Sequence, residues 1–382
     1  MIVHVLAAVP LFIWLYLLVA RASFWRASVS LSALSVAAQP ILERTKVVAV
    51  IPARDEAQVL GDTVQSLLRQ EPDGSLHIIV VDDASADGTA RVAQEAAAAL
   101  NASDRLQVLA GTPLPAGWTG KLWAMNQGIA AAALLDPDYL LLTDADIHHE
   151  PGNVASLVAV AQAHDCDLVS SMVQLSVNTV AEKCLIPAFV FFFFMLYPPA
   201  AVAAARSRTA AAAGGCMLVR PGALSRVGGL ERIRAELIDD CALARAIKDS
   251  GGAIRLGLTR SARSTRQYGS LGEVGRMISR SAFYQLRHSW WLLALTLTGL
   301  IVSYLLPVLL LFTSEPVAGA VAWALMSVCY ASMVRFYRLS PLWSICLPGI
   351  ALFYAFATLH SALQYALRRG GQWKGRAQDV RA

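Results

Sequence analysis

Four long apolar stretches without a formally charged side chain set the strongest limit on how this chain folds. Each has about the length that a helix needs to cross a hydrocarbon core of roughly 30 Å. One lies near the amino terminus and three lie towards the carboxyl terminus: Ile2 to Ala20, Trp290 to Phe312, Val317 to Val334 and Leu342 to Leu367. The sequence therefore predicts membrane helices at both ends of the chain.

The composition agrees with a membrane protein, because 56% of the residues are hydrophobic and 15% are charged, whereas soluble domains carry about 25% charged residues. No basic segment precedes the first stretch and no clear cleavage site follows it, so we interpret residues 1–22 as a retained anchor rather than a signal peptide. Basic residues follow the anchor, which predicts a cytoplasmic location for the next domain. They are Arg21, Arg26, Arg44 and Lys46.

The carboxyl-terminal end conflicts with that topology. Three full crossings from a cytoplasmic domain would leave the basic tail, residues 368–382, outside the cell, against the same tendency. Leu342 to Leu367 contains Pro348 and Gly349, which predict an interrupted helix, so this segment is the candidate for a re-entrant or interfacial stretch. The number of crossings within the membrane region, residues 290–367, stays open. Residues 269–289 are interpreted as a juxtamembrane segment.

Cysteine spacing and net charge exclude several classes of protein. The six cysteines form no CxxC pair and have no histidine at zinc-ligand spacing, so neither a zinc site nor a disulfide framework is indicated. The net charge of +5 is modest and the basic residues gather near the apolar stretches. This distribution suits anionic lipid headgroups and predicts no nucleic-acid partner.

Strands alternate with helices between Lys46 and about Tyr268. Predicted strands are short runs rich in β-branched or other apolar residues, as in a buried parallel sheet: Val47 to Pro52, Ile78 to Val81, Leu106 to Ala110 and Tyr139 to Thr143. Predicted helices between them are Ala57 to Arg69, Asp87 to Leu100 and Lys121 to Leu135. The alternation predicts an α/β domain over residues 46–268 with a doubly wound, mostly parallel sheet.

Acidic residues follow three of these strands, at the sheet edge where α/β proteins bind ligands. They lie in Pro52 to Glu56, Asp82 to Gly88 and Asp144 to Asp146. The first strand is followed by neither GxGxxG nor GxxxxGK[ST], which argues against a dinucleotide dehydrogenase and a P-loop enzyme.

The pair Asp144 and Asp146 predicts a site for a divalent cation, Mg²⁺ or Mn²⁺. Carboxylates at positions i and i+2 of an extended chain lie on the same side and can converge on one hard cation. The alternative is a turn in which an aspartate caps the helix that begins after Pro151.

Five segments resemble, in order and spacing, the motifs of the family-two glycosyltransferases. The resemblance covers most of Val47 to Gly252 and implies a GT-A-like fold that transfers a sugar from a nucleotide-sugar with inversion of the anomeric configuration. The segments are VVAVIPARDEAQVL, IIVVDDASADGT, GWTGKLWAMNQGI, LLLTDADI and LIDDCALARAIKDSGG.

The same resemblance assigns donor-binding roles. The first strand's exit and the position after the second strand would hold the nucleoside, and Lys121, at a predicted helix amino terminus that favours anions, would face the phosphates. The loop after the second strand has a structural alternative, in which Asp87 caps the next helix while Asp82 and Ser85 order the loop. The alternative for Lys121 is a solvated surface lysine. The implied donor-side residues are Pro52, Arg54, Glu56, Asp83, Lys121, Asp144 and Arg280, with Asp146 and Asp144 on the metal.

The resemblance also implies the catalytic pair. Asp240 would be the general base that deprotonates the acceptor hydroxyl, with Asp239 as its neighbour, and Gly214 and Gly215 would shape the acceptor side. An aspartate at this position is equally expected as the N-cap of the helix that ends at Gly251, and the glycines as an ordinary tight turn.

Two features differ from the processive polysaccharide synthases of this family and indicate a lipid acceptor. The QxxRW motif of processive synthases is reduced to Arg280, which also reads as a headgroup-facing arginine. Ile186 to Ala205 is an apolar segment inside the catalytic region, interpreted as interfacial or as a buried core helix.

This segment, the RSAFYQLRHS run and the tail near Trp373 are similar to bacterial hopene-associated glycosyltransferases, which implies a hopanoid or other polyisoprenoid lipid acceptor at the bacterial inner membrane. A polyprenyl-phosphate glycosyltransferase, a polysaccharide synthase and a non-enzymatic scaffold stay open as alternatives. A transporter is disfavoured because the apolar stretches carry almost no charge.

Overall fold

The computed structural model describes residues 2–27, 45–70, 76–368, 372–373 and 376–377. Arg44 and most of the basic tail lie outside these residues. The strands are β1 Val47–Ala53, β2 Leu76–Asp82, β3 Leu106–Ala110, β4 Tyr139–Thr143, β5 Ile147–His149, β6 Leu168–Gln174, β7 Cys216–Val219, β8 Ile254–Ser264, β9 Gln372–Trp373 and β10 Arg376–Ala377.

The α-helices are numbered in chain order. They are α1 Ile2–Val19, α2 Leu60–Leu68, α3 Thr89–Ala98, α4 Gly120–Ala133, α5 Asn153–Ala163, α6 Val180–Leu196, α7 Pro199–Ala203, α8 Pro221–Arg226, α9 Asp239–Asp249, α10 Leu271–Ser279, α11 Ala282–Gln285, α12 Trp290–Leu300, α13 Leu306–Leu310, α14 Pro316–Phe336 and α15 Leu347–Ala366.

The chain divides into two compact units. The sheet unit comprises Val29–Leu175, Val202–Arg266 and Gln372–Ala382. The helical unit comprises Met1–Ser28, Ser176–Ala201 and Gln267–Gly371.

An eight-stranded mixed sheet forms the centre of the sheet unit, in the order β3-β2-β1-β4-β7-β6-β8-β5. Strands β3, β2, β1 and β4 are parallel to one another. Strand β7 is antiparallel to β4 and β6, β8 is parallel to β6, and β5 is antiparallel to β8. The predicted α/β fold is confirmed. The four strands predicted from the sequence form the parallel half of the sheet, β1 to β4.

The parallel half follows directly from its sequence. Every residue of β1 is buried, as expected for a strand covered on both faces of the sheet. Helix α4 packs closely against β1 at Gly128, where a Cβ atom would lie 2.4 Å from Val50 Cγ1. Strands β1, β2 and β4 therefore end at one edge of the sheet, and α4 begins beside them.

Three helical segments of the helical unit are long and apolar enough to cross a membrane, among the residues described. They are Trp290–Leu310, Pro316–Phe336 and Pro341–Ala366, and they coincide with the three apolar stretches expected towards the carboxyl terminus. At the other end, Leu6–Val19 is a shorter apolar helix, so its role as a membrane anchor stays a prediction.

Pro348 lies where the last of these segments changes helix type, because Pro341–Cys346 form a 3₁₀ helix and α15 begins at Leu347. It lies in the first turn of α15, where a residue without a backbone N–H costs no helical hydrogen bond. Helix α15 then continues without a break to Ala366. The predicted interruption coincides with this change of helix type, and a re-entrant or interfacial placement of the segment stays a prediction.

Helix α6 forms part of the core of the helical unit. Phe191 is fully buried, with its ring centroid 5.3 Å from that of Phe24 and 5.2 Å from that of Tyr330. The hydroxyl of Tyr354 donates a hydrogen bond of 2.9 Å to the carbonyl of Leu185. Of the two readings of Ile186 to Ala205, these contacts favour the buried helix, packed in the helical unit rather than in the sheet unit.

Candidate active site

The loops that follow β1, β2 and β4 carry most of the residues expected to bind the donor. Parallel strands present their carboxyl ends at one edge of a sheet, and the helices that follow them begin there. Lys121 is the second residue of α4, whose amino terminus is capped by the hydroxyl of Thr119. The fold thus brings a cation to the same edge as the acidic loops.

Lys121 bridges two of the predicted site residues. Its Nζ lies 2.8 Å from Asp144 Oδ1 and 3.3 Å from Asp239 Oδ2, and 17% of its side chain is exposed. Burial alone lowers the pKa of Lys121, but the charges of Asp144 and Asp239 and the hydrogen bond to Asp144 outweigh burial and raise it above its usual range. Lys121 is therefore a permanent cation, and the surface-lysine alternative does not apply.

Asp240 is held in a fixed orientation beside this bridge. Its Oδ2 accepts a hydrogen bond of 2.7 Å from the Gly214 N–H, and its Oδ1 accepts one of 2.7 Å from the Cys241 N–H. Burial and the negative charge of Asp239 raise the pKa of Asp240 to about 6, against the opposing effects of Lys121 and the two hydrogen bonds. A carboxylate with a raised pKa in a polar cluster has the properties of a general base.

Neither aspartate of this pair is the N-cap of α9. The N-cap residue is Ile238, which makes no side-chain capping bond, and both aspartates lie in the first helical turn. Asp239 Oδ2 is buried, forms an ion pair with Lys121 and has no hydrogen bond within the described part of the chain. The capping alternative is therefore wrong.

Asp146 has a different cation as its partner. Arg266, just past the end of β8, places its Nε 3.2 Å from Asp146 Oδ2 and its Nη2 2.9 Å from both carboxylate oxygens of Glu56. The Ser264 hydroxyl donates a hydrogen bond of 2.8 Å to the same Asp146 oxygen. Glu56 and Asp146, expected on the donor and metal sides, thus share one guanidinium.

Arg54 and Asp83 lie together, as expected for two residues of one binding region. Arg54 Nη1 donates a hydrogen bond of 2.5 Å to the Asp83 carbonyl and lies 3.6 Å from Asp83 Oδ2. The Nε of Arg54 is buried without a hydrogen bond among the residues described. Pro52 precedes them within β1, where it pairs with Val81.

The loop after β2 is ordered by its other aspartates. Asp82 Oδ1 accepts a hydrogen bond of 3.0 Å from the Ser85 N–H. Asp87 accepts hydrogen bonds from the N–H groups of Thr89 and Ala57. Asp82 thus orders the loop as expected, whereas the expectation that Asp87 is the N-cap of the next helix is wrong, because the N-cap residue of α3 is Gly88.

The two glycines before β7 differ in their surroundings. A Cβ atom on Gly214 would lie 3.3 Å from Asp240 Oδ2 and 3.4 Å from Lys121 Nζ, so this glycine lies at the charged cluster. A Cβ atom on Gly215 would instead meet Val173 at 3.1 Å, on the core side. Only Gly214 contacts the catalytic pair directly.

Sequence reasoning missed a buried histidine that supports this turn. The Thr143 hydroxyl donates a hydrogen bond of 2.7 Å to the Gly215 carbonyl. Because its one proton is used there, the hydroxyl oxygen accepts the hydrogen bond of 3.1 Å from His149 Nε2. His149 Nδ1 then accepts from the Asn153 amide at 3.0 Å. Burial, with a smaller effect of His148, lowers the pKa of His149 to about 3. A neutral histidine thus links β4 to the turn that holds Asp240.

Arg280 follows α10 and belongs to the helical unit. Its expected contact with the donor stays a prediction. Arg266 and Ser264, which do contact site residues, carry no motif in the sequence. Their only sequence signal is their place at the end of the last long strand.

Asp144 and Asp146 carry the carboxylate oxygens that Mg²⁺ or Mn²⁺ takes as ligands. Mg²⁺ is commonly held by one or two carboxylates together with substrate phosphates. Each carboxylate already accepts a cationic side chain, Lys121 or Arg266, so positive charge is stabilised at both. No group of three or more His, Cys, Asp or Glu side chains among the residues described is placed to hold a metal ion by itself.

Comparisons with known proteins identify the family of this chain. The profile of the family described as Glycosyltransferase like family 2 matches residues 44–273. An uncharacterized protein, MJ1222, of Methanocaldococcus jannaschii is 28% identical over 117 residues, which are 31% of this chain and 42% of the relative. The match thus spans less than half the length of this curated relative.

A solved mannosyltransferase shares the fold of this chain. The mannosyltransferase PcManGT from Pyrobaculum calidifontis, in complex with GDP-Man and Mn²⁺, superposes with a TM-score of 0.53 at 15% identity over 96% of this chain and 98% of that chain. Glucosyl-3-phosphoglycerate synthase from Mycobacterium tuberculosis, in complex with Mg²⁺ and uridine diphosphate, has a TM-score of 0.41 at 17% identity over 68% of this chain and 83% of its own.

The sheet order, the acidic strand exits and the family match over more than half of the sequence lead to one conclusion. The chain belongs to glycosyltransferase like family 2 and is a glycosyltransferase with a GT-A fold.

Proposed function

We propose that this glycosyltransferase moves a sugar from a nucleotide-sugar to a lipid acceptor at a membrane, with inversion of the anomeric configuration. The observation that carries the proposal is the cluster of Asp240, Asp239, Lys121 and Asp144, held against Gly214. It joins a carboxylate of raised pKa to a fixed cation. These are the two charges that a direct displacement at a sugar carbon needs.

Asp240 is the general base of this reaction. Its carboxylate accepts the proton of the acceptor hydroxyl as that oxygen attacks the anomeric carbon. The nucleoside diphosphate leaves from the opposite face, so one displacement inverts the configuration. The N–H groups of Gly214 and Cys241 orient the carboxylate, and Asp239 keeps its pKa high.

Lys121 stabilises the leaving diphosphate on the donor side. Its ammonium lies at the amino terminus of α4, where backbone N–H groups also favour an anion. A divalent cation, Mg²⁺ or Mn²⁺, held by Asp144 and Asp146, would neutralise the charge that develops on the diphosphate. Pro52, Arg54, Glu56 and Asp83 form the nucleoside side, where Arg54 and Asp83 lie together.

The lipid acceptor is supported by the helical unit. Three of its helices are long and apolar enough to cross a membrane, and α6 packs in the same unit. We propose that these helices and the amino-terminal anchor hold the enzyme at the bacterial inner membrane, with the sheet unit in the cytoplasm. The motif resemblance makes a hopanoid or another polyisoprenoid lipid the first acceptor to test.

The test incubates membranes that contain the full chain with UDP-sugars and GDP-sugars, Mg²⁺ or Mn²⁺, and a bacterial lipid extract. Mass spectrometry of the lipid phase is expected to show a lipid that gains one hexose-type mass. Asp240→Asn is expected to lose this product, whereas Asp249→Asn, at the exposed end of the same helix, retains it.

Other products would identify other functions. A sugar on a polyprenyl phosphate would indicate that a phosphate oxygen is the nucleophile, and growth of a polymer would indicate a synthase. If no donor yields any product, or if Asp240→Asn is as active as the unchanged chain, the proposed function is wrong. NMR of the product linkage tests the inversion.

A further inference from the structure

Arg266 forms ion pairs with two carboxylates, those of Asp146 and Glu56. The two carboxylates are 13% and 11% exposed, and the guanidinium is 37% exposed. Two poorly solvated carboxylates that share one cation would repel each other if that cation left. Arg266 therefore neutralises the acidic pair in the ligand-free chain.

The geometry of this arginine makes its contact specific. One nitrogen, Nη2, lies 2.9 Å from both oxygens of Glu56, and a second, Nε, lies 3.2 Å from Asp146 Oδ2. A lysine ammonium cannot reproduce this planar arrangement, because its three donors radiate from one atom. The Asp146 oxygen also accepts the Ser264 hydroxyl, so its hydrogen-bonding capacity is already in use.

The backbone fixes Arg266 next to Asp146. The Thr265 N–H donates a hydrogen bond of 2.8 Å to the Asp146 carbonyl, in register with the β5 and β8 ladder. The main chain at Arg266 thus stays beside Asp146 whatever the side chain does. Rotation of one partly exposed side chain is enough to uncover the carboxylate.

We propose that Arg266 is an internal counter-cation that holds Asp146 in the donor-free enzyme and competes there with the divalent cation. This inference rests on the proposed function, because it assumes that Asp146 is a metal ligand. A divalent cation alone then binds weakly, since it must displace a charge-assisted pair. A nucleoside diphosphate offers both the cation and the guanidinium new oxygen partners, so cation and nucleotide enter together.

The test measures Mn²⁺ binding to the purified full-length protein in detergent by electron paramagnetic resonance, without nucleotide. Arg266→Ala is expected to bind Mn²⁺ about tenfold more tightly than the unchanged chain, because the competing cation is gone. Arg266→Lys keeps the charge but not the planar fork, and its affinity is expected to lie between the two. Arg263→Ala removes a nearby charge, that of the β8 arginine that pairs with Glu150, and its affinity is expected to stay within about twofold.

Two results would overturn the inference while leaving the proposed function intact. Arg266→Ala would bind Mn²⁺ no more tightly than the unchanged chain, although UDP or GDP promotes Mn²⁺ binding to both. Alternatively, Arg263→Ala would tighten binding as much as Arg266→Ala, which would indicate a general effect of net charge. If no variant binds Mn²⁺ even with UDP or GDP, both the inference and the metal role of Asp146 fail.

Discussion

The ammonium of Lys121 lies 2.8 Å from Asp144 Oδ1 and 3.3 Å from Asp239 Oδ2, so one cation joins the exit of β4 to the first turn of α9. Asp144 belongs to the side of the site proposed for the donor, and Asp239 precedes the proposed base. The cation proposed to face the leaving group thus also lowers the pKa of Asp240, the group proposed to remove the proton.

Replacing Lys121 with methionine is expected to change the pH dependence of transfer as well as its rate. Lys121 lowers the pKa of Asp240, so its loss raises that pKa further. The base is active only when deprotonated, and the acid limb of kcat/KM, expected near pH 6 in the unchanged chain, moves to higher pH. The rate at the optimum is expected to fall about 10²-fold or more.

The control for this variant is Lys46→Met, which removes a lysine with an exposed side chain from the same unit. Its rate and acid limb are expected to match those of the unchanged chain. An acid limb that stays in place in Lys121→Met would mean that Lys121 does not act on the base.

Asp239→Asn is expected to move the acid limb in the opposite direction. The negative charge of Asp239 raises the pKa of Asp240, so a neutral amide lets Asp240 lose its proton at lower pH. The limb of kcat/KM therefore moves below the position found for the unchanged chain. A shift of the acid limb to higher pH would contradict the assignment of Asp240 as the titrating base, because removal of a negative charge lowers the pKa of a neighbouring carboxylate.

Gly214→Ala tests how closely the turn before β7 approaches the catalytic pair. The added Cβ would lie 3.3 Å from Asp240 Oδ2, so this carboxylate must shift by a few tenths of an ångström, and it would lie in van der Waals contact with Lys121 Nζ at 3.4 Å. We expect kcat to fall about tenfold or more, because catalytic groups depend on position at this scale.

The comparison variant is Gly222→Ala, where the added Cβ would meet nothing within 4 Å. Its kcat is expected to be unchanged. Equal kcat values for the two alanine variants would show that the turn does not constrain Asp240.

The sequence predicted the parallel half of the sheet because buried parallel strands have a simple pattern. The continuous apolar run of β1 and the helix that follows it can be recognised without knowledge of distant contacts. The later strands β5 to β8 pair partly antiparallel and in an order unrelated to their order in sequence. Such pairing depends on contacts between residues far apart in the chain, which periodicity does not contain.

The same difference separates the site residues that were found from those that were missed. Lys121, Asp144 and Asp240 lie in motifs next to predicted strands or helices. Arg266 pairs with Glu56, 210 residues earlier in the chain, and no local pattern predicts that contact. His149 had no assigned function because a histidine beside an acidic loop resembles a surface residue, and only the burial of its ring shows otherwise.

The last prediction concerns His149 and the stability of the sheet unit. Its pKa of about 3 lies below its ordinary value of 6.5, so protonation favours the unfolded state, in which the ring is exposed. Titration of His149 therefore leaves the free energy of unfolding unchanged above about pH 6.5. It lowers that free energy progressively as the pH falls from 6.5 towards 3. The slope from this one group reaches at most about 1.4 kcal/mol per pH unit.

Melting curves of the purified protein between pH 7.5 and pH 5 test this slope. His149→Gln removes the titrating ring, so its melting temperature is expected to fall less over this range than that of the unchanged chain, although its stability at pH 7.5 is lower. His164→Gln, at an exposed histidine, is expected to follow the unchanged chain. If His149→Gln loses as much melting temperature on acidification as the unchanged chain, His149 is not buried in its neutral form, and the tautomer that links Asn153 to Thr143 is wrong.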